Sequence, residues 1–267
     1  MAEQLPATAD GPGSRTGDAA RPRWGLEVLV VLGVSLGSSA VYSVLSLVEK
    51  LTRDVPLDQQ TTTMNSSATP DRPWLDLAYQ LANNVFLVAP VFLVLYLLHL
   101  RPGVGGRRWM GLDARHPLRD AAVGLGIAAG IGIPGLGFYL LARELGLNTS
   151  VAPANLTDVW WAVPVLVLAA VANGALEEIV MVGYLFGRLR DLRWSWTAVV
   201  VVSALVRGSY HLYQGFGGFA GNVLMGLLLG LVFLRWRRVW PLVVAHSLLD
   251  VGAFVGYTLL APLVSWL

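Results

Sequence analysis

Two adjacent glutamates, Glu177 and Glu178, stand in the apolar stretch VANGALEEIVMVGYLFGRL. Carboxylates are rare in such surroundings, because an ionisable side chain inside a membrane is costly unless it is paired or faces water. On one helix the two side chains point about 100° apart, so one can line a cavity while the other meets a neighbouring helix. This pair is therefore the first candidate for chemistry in the chain.

Two later apolar segments each carry a pair of polar side chains spaced four residues apart. RGSYH places Arg207 and His211 on one helix face, and HSLLD does the same for His246 and Asp250. Three helices can thus present a glutamate, a histidine and a His–Asp pair to one interior space. Such a set can activate water, with the carboxylate as base and the imidazoles binding a metal or holding an oxyanion.

The same residues also have a purely structural interpretation. Adjacent glutamates and an arginine on a nearby helix can form a buried ion pair. His211 can be an interface histidine, and His246 can simply hydrogen-bond Asp250 on the next turn. Asn173 and Asn222 can join helices through their amides, which is the interpretation we favour for Asn173. The occurrence of all these groups in four successive helices favours a functional site.

The composition predicts the surroundings of these residues. The chain has 267 residues, of which 55% are hydrophobic and only 13% are charged, whereas a soluble domain carries about 25% charged residues. Apolar runs of about 20 residues, long enough to cross a bilayer, recur along it. We therefore predict an all-α, polytopic membrane helical bundle with about seven transmembrane helices. The expected spans are 25–47, 77–100, 120–142, 159–187, 195–213, 217–235 and 240–264.

The distribution of arginine predicts the orientation of this bundle. With the N-terminus inside and the C-terminus outside, all basic residues of the outer segments are Lys50, Arg53, Arg72 and Arg143, and the inner segments hold the arginine-rich loops. The net charge of +2 is then a topology signal, so we expect the lipid bilayer as a partner and no nucleic acid. Absence of cysteine excludes disulfides, thiolate metal sites and cysteine nucleophiles.

The expected domain division is simple. Residues 1–24 are polar and rich in Gly, Ala, Pro and Arg, which predicts a disordered cytoplasmic tail. Residues 25–267 then form one transmembrane helical domain. Scarce lysine beside abundant Ala, Val, Gly and Arg is typical of a GC-rich bacterial genome, so the expected location is a bacterial cell membrane, crossed several times.

In their order, these residues resemble the CPBP family, the CAAX-protease and bacteriocin-processing (Abi) family of intramembrane proteases. The family pattern is EExxxR on one helix, FxxxH on a second, and HxxxN or HxxxD on a third. The glutamate pair Glu177 and Glu178, the single His211, and His246 with Asp250 correspond to these three motifs. The resemblance implies a membrane endopeptidase of glutamate or metallo type.

Residue by residue, the resemblance implies a division of roles. Glu177 is the base that activates water, and Glu178 supports it. His211 and His246 contact the water, the oxyanion or a metal, and Asp250 orients or completes the site. The substrate implied is a membrane-anchored or lipidated peptide.

Two positions depart from the family pattern within the protease-like core at about 155–260. Val182 stands where EExxxR has arginine, and Arg207 stands where FxxxH has phenylalanine. We hypothesise that Arg207 replaces the missing guanidinium in space, pairing with Glu178 or lining the cavity. The alternative is a degenerate site. Asn222 ends the glycine-rich QGFGGFAGN and is expected to support the site if that segment is unwound.

The sequence is compatible with more than one cofactor and more than one function. Glu177, His211 and His246 make up a possible zinc set, although there is no HExxH motif. A glutamate-and-histidine water site without metal is equally compatible. The competing functions are a non-catalytic scaffold or bacteriocin-immunity protein, and a proton-coupled transporter that uses the same carboxylates as a relay.

Overall fold

The structure is a computed structural model that describes residues 23–100, 106–156 and 159–260, and these are predominantly helical. The predicted tail therefore lies outside the described residues, except for its last two, and the first helix already begins at Trp24. In chain order the elements are α1 (Trp24–Gly33), α2 (Leu36–Leu51), β1 (Thr61–Thr63), α3 (Pro73–His99), α4 (Gly106–Trp109), α5 (Pro117–Glu144), β2 (Ser150–Ala152), α6 (Ala162–Glu177), α7 (Leu185–Asp191), α8 (Trp196–Ser209), α9 (Phe216–Trp236) and α10 (Trp240–Leu260). A π-helical segment, Glu178–Tyr184, joins α6 to α7, and short 3₁₀ turns occupy Leu57–Gln59 and Leu212–Gln214.

The all-α polytopic bundle predicted from composition is confirmed. Within the part of the chain that the structure describes, five helical segments are long and apolar enough to cross a membrane, namely α3, α5, the continuous α6–α7 unit, α9 and α10. Helices α1 and α2 form a sixth candidate that is bent by 54°. Helix α8 has 14 residues, which is about 21 Å against a hydrocarbon core of about 30 Å. The count of seven spans and the orientation of the termini therefore stay predictions.

One end of the bundle is held by arginines, and we call it the arginine-rich end (segments 106–116, 191–195 and 237–239). Arg238 donates to the carboxylates of Asp113 and Asp120, at 3.1 and 2.6 Å. These contacts raise the pKa of the Arg238 guanidinium above its ordinary value, with the hydrogen bond to Asp120 as the largest favourable cause. Arg237 lies over the ring of Trp196 at 4.3 Å. These contacts join the loops 106–116 and 237–239 to the starts of α5 and α8.

The opposite end carries β1 and β2, and we call it the strand end (segments 50–72 and 143–156). The two strands pair in parallel, with Thr61 opposite Ser150. The hydroxyl of Thr62 lies 2.7 Å from that of Thr149 and 3.2 Å from the carbonyl oxygen of Tyr213. The strand end therefore rests directly on the turn between α8 and α9.

Helices α6 and α10 make the closest packing contact that bears on the site. A Cβ atom on Gly174 would lie 2.6 Å from Oγ and 2.9 Å from the backbone nitrogen of Ser247. Small residues allow this kind of close helix approach in membranes. Because Gly174 is one turn before Glu177, and Ser247 follows His246, the contact brings the first and third motifs together.

We predict that Gly174→Ala lowers the free energy of unfolding by about 1–3 kcal/mol, because the added methyl group forces α6 and α10 apart. The matched control is Gly252→Ala on α10, where a Cβ would meet nothing within 4 Å; it should be neutral or stabilising by up to about 1 kcal/mol, from helix propensity alone. Thermal unfolding in detergent measures both. Equal midpoints for the two variants would contradict the packing argument.

Candidate active site

The glutamate pair lies where an α-helix changes into a π-helix. Glu177 is the last residue of α6, and Glu178 begins the π segment. Both are buried, with 2% and 0% of their surface exposed. Single π-helical turns inside α-helices frequently mark functional sites, because the wider turn changes the direction of neighbouring side chains. Here both carboxylates reach the same cation on α8.

That cation is Arg207, in the last turn of α8 and 1% exposed. Its Nη2 donates to Oε1 of Glu178 at 2.6 Å, and its Nη1 lies 3.3 Å from Oε2 of Glu177. The pairing of Arg207 with Glu178 expected from the sequence is therefore confirmed. One guanidinium fork holds two carboxylates, which a lysine ammonium cannot do in the same geometry.

His246 of α10 is the second group that contacts this pair. Its Nδ1 lies 2.7 Å from Oε1 of Glu178, and its Nε2 lies 3.9 Å from Oε2 of Glu177. Asp250, one turn further along α10, places Oδ1 3.8 Å from the same Nε2. The side-chain amide of Asn173 donates to Glu177 at 3.2 Å and to Asp250 at 2.9 Å, and so joins α6 to α10.

His211 approaches from the turn that follows α8. Its Nε2 is 3.9 Å from Oε1 of Glu177, which is too long for a direct hydrogen bond. Neither ring nitrogen of this imidazole, both of them buried, has a hydrogen-bond partner among the described residues. The adjacent Tyr210 donates its hydroxyl to Oε2 of Glu177 at 2.7 Å. Its ring centroid lies 4.9 Å from that of His211, and that of Tyr213 lies 6.1 Å away.

The charges of this cluster do not balance through arginine alone. Three carboxyl groups, on Glu177, Glu178 and Asp250, face one guanidinium, on Arg207. In a low-dielectric interior such an excess must be offset by protons on an imidazole or on a carboxyl. An imidazole or a carboxyl group of this cluster must therefore carry a proton close to an ionised carboxylate, and general acid–base catalysis requires such an arrangement.

The structure brings together all but one of the residues that the sequence analysis singled out: Glu177, Glu178, Arg207, His211, His246 and Asp250. The exception is Asn222, whose amide donates to the carbonyl of Gly218 within α9 at 3.0 Å. The glycine-rich segment is not unwound as expected, because the start of α9 is capped from outside. The backbone N–H of Gly218 donates to the Asn148 side chain at 2.7 Å, and that of Gly217 donates to the carbonyl of Leu147 at 3.1 Å.

Two residues were missed or undervalued by sequence reasoning. Tyr210 was not singled out, although it directly precedes His211, and a buried tyrosine hydroxyl normally finds a polar partner. Asn173 was read as glue between helices. It does join two helices, but it does so through the candidate base and the candidate orienting carboxylate. Its place one turn before Glu177 was the available signal.

The donor set was also tested for a metal ion. Among the described residues, no group of three His, Cys, Asp or Glu side chains is arranged to hold one. The guanidinium of Arg207 already contacts both glutamates, and Glu178 already holds Nδ1 of His246. A divalent cation would have to sit beside a permanent positive charge on the same carboxylates. In this arrangement the predicted set Glu177, His211 and His246 does not fit a zinc centre.

Removing the cation should destabilise the fold. We predict that Arg207→Ala costs about 3–5 kcal/mol, because two buried carboxylates lose their counter-charge. Arg207→Lys should cost less, since it keeps the charge but not the fork. The control is Arg53→Ala, which removes an exposed ion pair with Glu49 and should cost at most about 1 kcal/mol. If the Arg207 variants unfold like the control in chemical denaturation, Arg207 does not compensate the pair.

Comparison with known proteins concerns this same part of the chain. Residues 159–252 match the family model described as type II CAAX prenyl endopeptidase, Rce1-like. The matched segment spans the glutamate pair, the turn that carries His211, and α10 through Asp250. Comparison with curated proteins and with solved structures gave no significant match. The family match confirms, for this part of the chain, the resemblance to the CPBP family of CAAX proteases.

Proposed function

We propose that this protein is a CAAX-type intramembrane endopeptidase in which Glu177 activates the attacking water. The observation that carries the proposal is the imidazole of His211. Its two ring nitrogens are buried and have no hydrogen-bond partner among the described residues, and its Nε2 lies 3.9 Å from Oε1 of Glu177, the candidate base. A gap of that size admits a water molecule at about 2.8 Å from both groups. A purely structural histidine would instead be expected to have a protein partner.

The two oxygens of Glu177 are not equivalent. Oε2 accepts from Tyr210 at 2.7 Å and faces Arg207 at 3.3 Å, so much of its negative charge is already engaged. Oε1 receives only the longer contact from Asn173, at 3.2 Å, and faces His211. Oε1 is therefore the oxygen that takes a proton from water. Tyr210 and Asn173 are positioning residues that fix the plane of the carboxylate.

The hydrolytic step follows from these positions. The water oxygen attacks the carbonyl carbon of the scissile peptide bond, while one water proton passes to Oε1 of Glu177. The negative charge that forms on the carbonyl oxygen is met by N–H donors of His211 and His246, an oxyanion hole in a site with little water. When the C–N bond breaks, the proton on Glu177 passes to the leaving nitrogen, and the carboxylate is restored.

The remaining groups hold His246 ready for this role. Glu178 binds its Nδ1, which leaves Nε2 directed toward the space between Glu177 and Asp250. Because Arg207 also contacts Glu178, the orientation of the imidazole depends on the same ion pair. With Nδ1–H donated to Glu178, Nε2 carries a hydrogen only in the imidazolium form, so the proposed oxyanion donor is the doubly protonated ring of His246. Arg207 thus acts through its neighbours and does not touch substrate.

The proposed enzyme is of the glutamate type. A direct contact of the guanidinium with both carboxylates supports this choice over a metalloprotease. The match to a prenyl endopeptidase family supports a membrane-anchored or lipidated peptide as substrate. A degenerate scaffold or immunity protein would have no reason to keep the His211 imidazole beside the Glu177 carboxylate with both ring nitrogens buried and without a hydrogen-bond partner among the described residues. A proton-coupled transporter predicts Glu177-dependent flux in proteoliposomes, whereas the proposed enzyme predicts none.

The test is cleavage of a library of membrane-anchored and lipidated peptides by the purified protein. We expect Glu177→Gln to lose at least about 10²-fold in rate, the lower range of general-base catalysis. His211→Gln should lose activity while its thermal midpoint stays near that of the wild type, because this imidazole makes no hydrogen bond with the described residues. A chelator should leave the wild-type rate unchanged.

Asn222→Ala is the matched control, since its amide bonds only within α9; it should cleave like the wild type. Cleavage that persists in folded Glu177→Gln protein would show that the base is wrongly assigned. Loss of activity on chelation that zinc restores would instead establish a metalloprotease.

A further inference from the structure

The site residues become more exposed from the arginine-rich end toward the strand end of the bundle. Helix α6 runs from the strand end toward the arginine-rich end, while α8 and α10 run the opposite way. On α10, His246 has 5% of its side chain exposed, and Asp250, one turn nearer the strand end, has 17%. Arg207, in the last turn of α8, is 1% exposed, and His211, in the turn that follows α8 and nearer the strand end, is 14% exposed.

Helix α6 repeats this order although it runs in the other direction. Glu177 is buried, whereas Asn173, which is one turn nearer the strand end, is partly exposed. In all three helices the accessible member of the cluster thus lies toward the strand end. The most enclosed side of the cluster, formed by Glu178 and Arg207, faces the arginine-rich end.

The strand end also contacts the turn that carries the reactive histidine. The carbonyl oxygen of Gln214 accepts from the backbone N–H of Thr149 at 2.9 Å. The Tyr213 ring stacks on His211, and its hydroxyl lies 3.6 Å from the sulfur of Met64, in the loop that contains β1. A polypeptide approaching His211 from this end would therefore pass along β1 and β2.

The charges identify which side of the membrane this is. The arginine-rich end carries Arg108, Arg115, Arg190, Arg193, Arg237 and Arg238, whereas the strand end carries Lys50, Arg53, Arg72 and Arg143. Basic residues concentrate in the cytoplasmic loops of membrane proteins. By this rule the strand end is predicted to be the extracytoplasmic side, which is the orientation that the same rule gave in the sequence analysis.

From these observations we infer that the active site opens to the extracytoplasmic face and cleaves an extracytoplasmic segment of a membrane-anchored protein or peptide. The cleavage itself rests on the proposed function. The direction of access rests on the burial of the site residues and on the distribution of basic residues, and does not depend on that function. The inference differs from the substrate that the family's name suggests, which is a prenylated CAAX tail. A prenylated C-terminal CAAX tail lies in the cytoplasm, next to the arginine-rich end, from which Glu178 and Arg207 close off the site.

The direction of access can be measured without any activity, because the chain contains no cysteine. Single cysteines are introduced at Tyr213, beside His211, and at two exposed alanines, Ala68 of the strand end and Ala114 of the arginine-rich end. A charged, membrane-impermeant methanethiosulfonate is then applied to right-side-out and to inverted membrane vesicles. We expect Ala68→Cys and Tyr213→Cys to react in right-side-out vesicles, and Ala114→Cys to react in inverted ones.

Reaction of Tyr213→Cys from the cytoplasmic side, together with Ala114→Cys, would overturn the inference. If Tyr213→Cys does not fold, Ser209→Cys, a near-isosteric change two residues before His211, takes its place. These outcomes do not depend on whether the protein is a protease, so failure of the inference and failure of the proposed function remain distinguishable.

A second arm tests the substrate. Two libraries of single-span reporters carry the same randomised segment next to the membrane, one on the outer and one on the inner side. A farnesylated CAAX peptide is included with the inner library. Glu177-dependent cleavage of outer reporters is expected, and Glu177-dependent cleavage of inner reporters or of the farnesylated peptide alone would contradict the inference. Absence of cleavage in both libraries would count against the proposed function, while the labelling result would still decide the direction.

Discussion

The contact of one guanidinium with two buried carboxylates is the interaction on which the rest of this structure depends. Arg207 lies between Glu177 and Glu178 at 3.3 and 2.6 Å, and all three residues are at most 2% exposed. Burying a single charge without a partner is far more costly than burying a pair, so removal of any one of these side chains should lower the free energy of unfolding. Their mutual attraction joins α6 to α8 and fixes where the glutamates point.

The remainder of the site is built outward from this ion pair. Glu178 uses the same oxygen to hold Arg207 and His246, so it sets the position of α10 as well. The close approach at Gly174 and the amide of Asn173 then join α6 and α10 from the other side. Only the imidazole of His211 stands apart, on a turn held by the strand end and without a side-chain hydrogen bond among the described residues. The group that is least fixed is thus the one that the proposed mechanism gives to water and substrate.

We propose that a guanidinium supplied by another helix accounts for the departures from the family pattern. Val182, at the family's arginine position, is buried in the π segment at 2% exposure. Arg207 occupies the phenylalanine position of the second motif, and from there it reaches both glutamates. A cation contributed by a neighbouring helix serves the same electrostatic purpose as one on the same helix, because Coulomb energy depends on distance and dielectric and not on chain position.

Much of the fold and of the site could be predicted from the sequence, since membrane burial makes the cost of each polar residue easy to read. The apolar runs identified the bundle, and the four-residue spacings grouped His246 with Asp250 and Arg207 with His211. Other features had no such signal. Strands of three residues have no recognisable period, and α8 ends at Ser209 because a turn held by the strand end follows it. Asn222 was misread because Asn148 and Leu147, distant in sequence, cap the start of α9. Tyr210 acts through a contact between helices, which spacing within one helix cannot reveal.

The most direct test of the central claim is a double-mutant cycle between Arg207→Met and Glu178→Gln, with the free energy of unfolding measured by chemical denaturation in detergent. Arg207→Met leaves two buried carboxylates without their counter-charge, and Glu178→Gln leaves the guanidinium with Glu177 alone. The double variant removes the Arg207–Glu178 pair and keeps the side-chain volumes. We predict that the double variant is more stable than the sum of the single effects implies, by about 1–3 kcal/mol. Additive effects, within about 0.5 kcal/mol, would show that the two side chains are merely neighbours and that another interaction holds the site together.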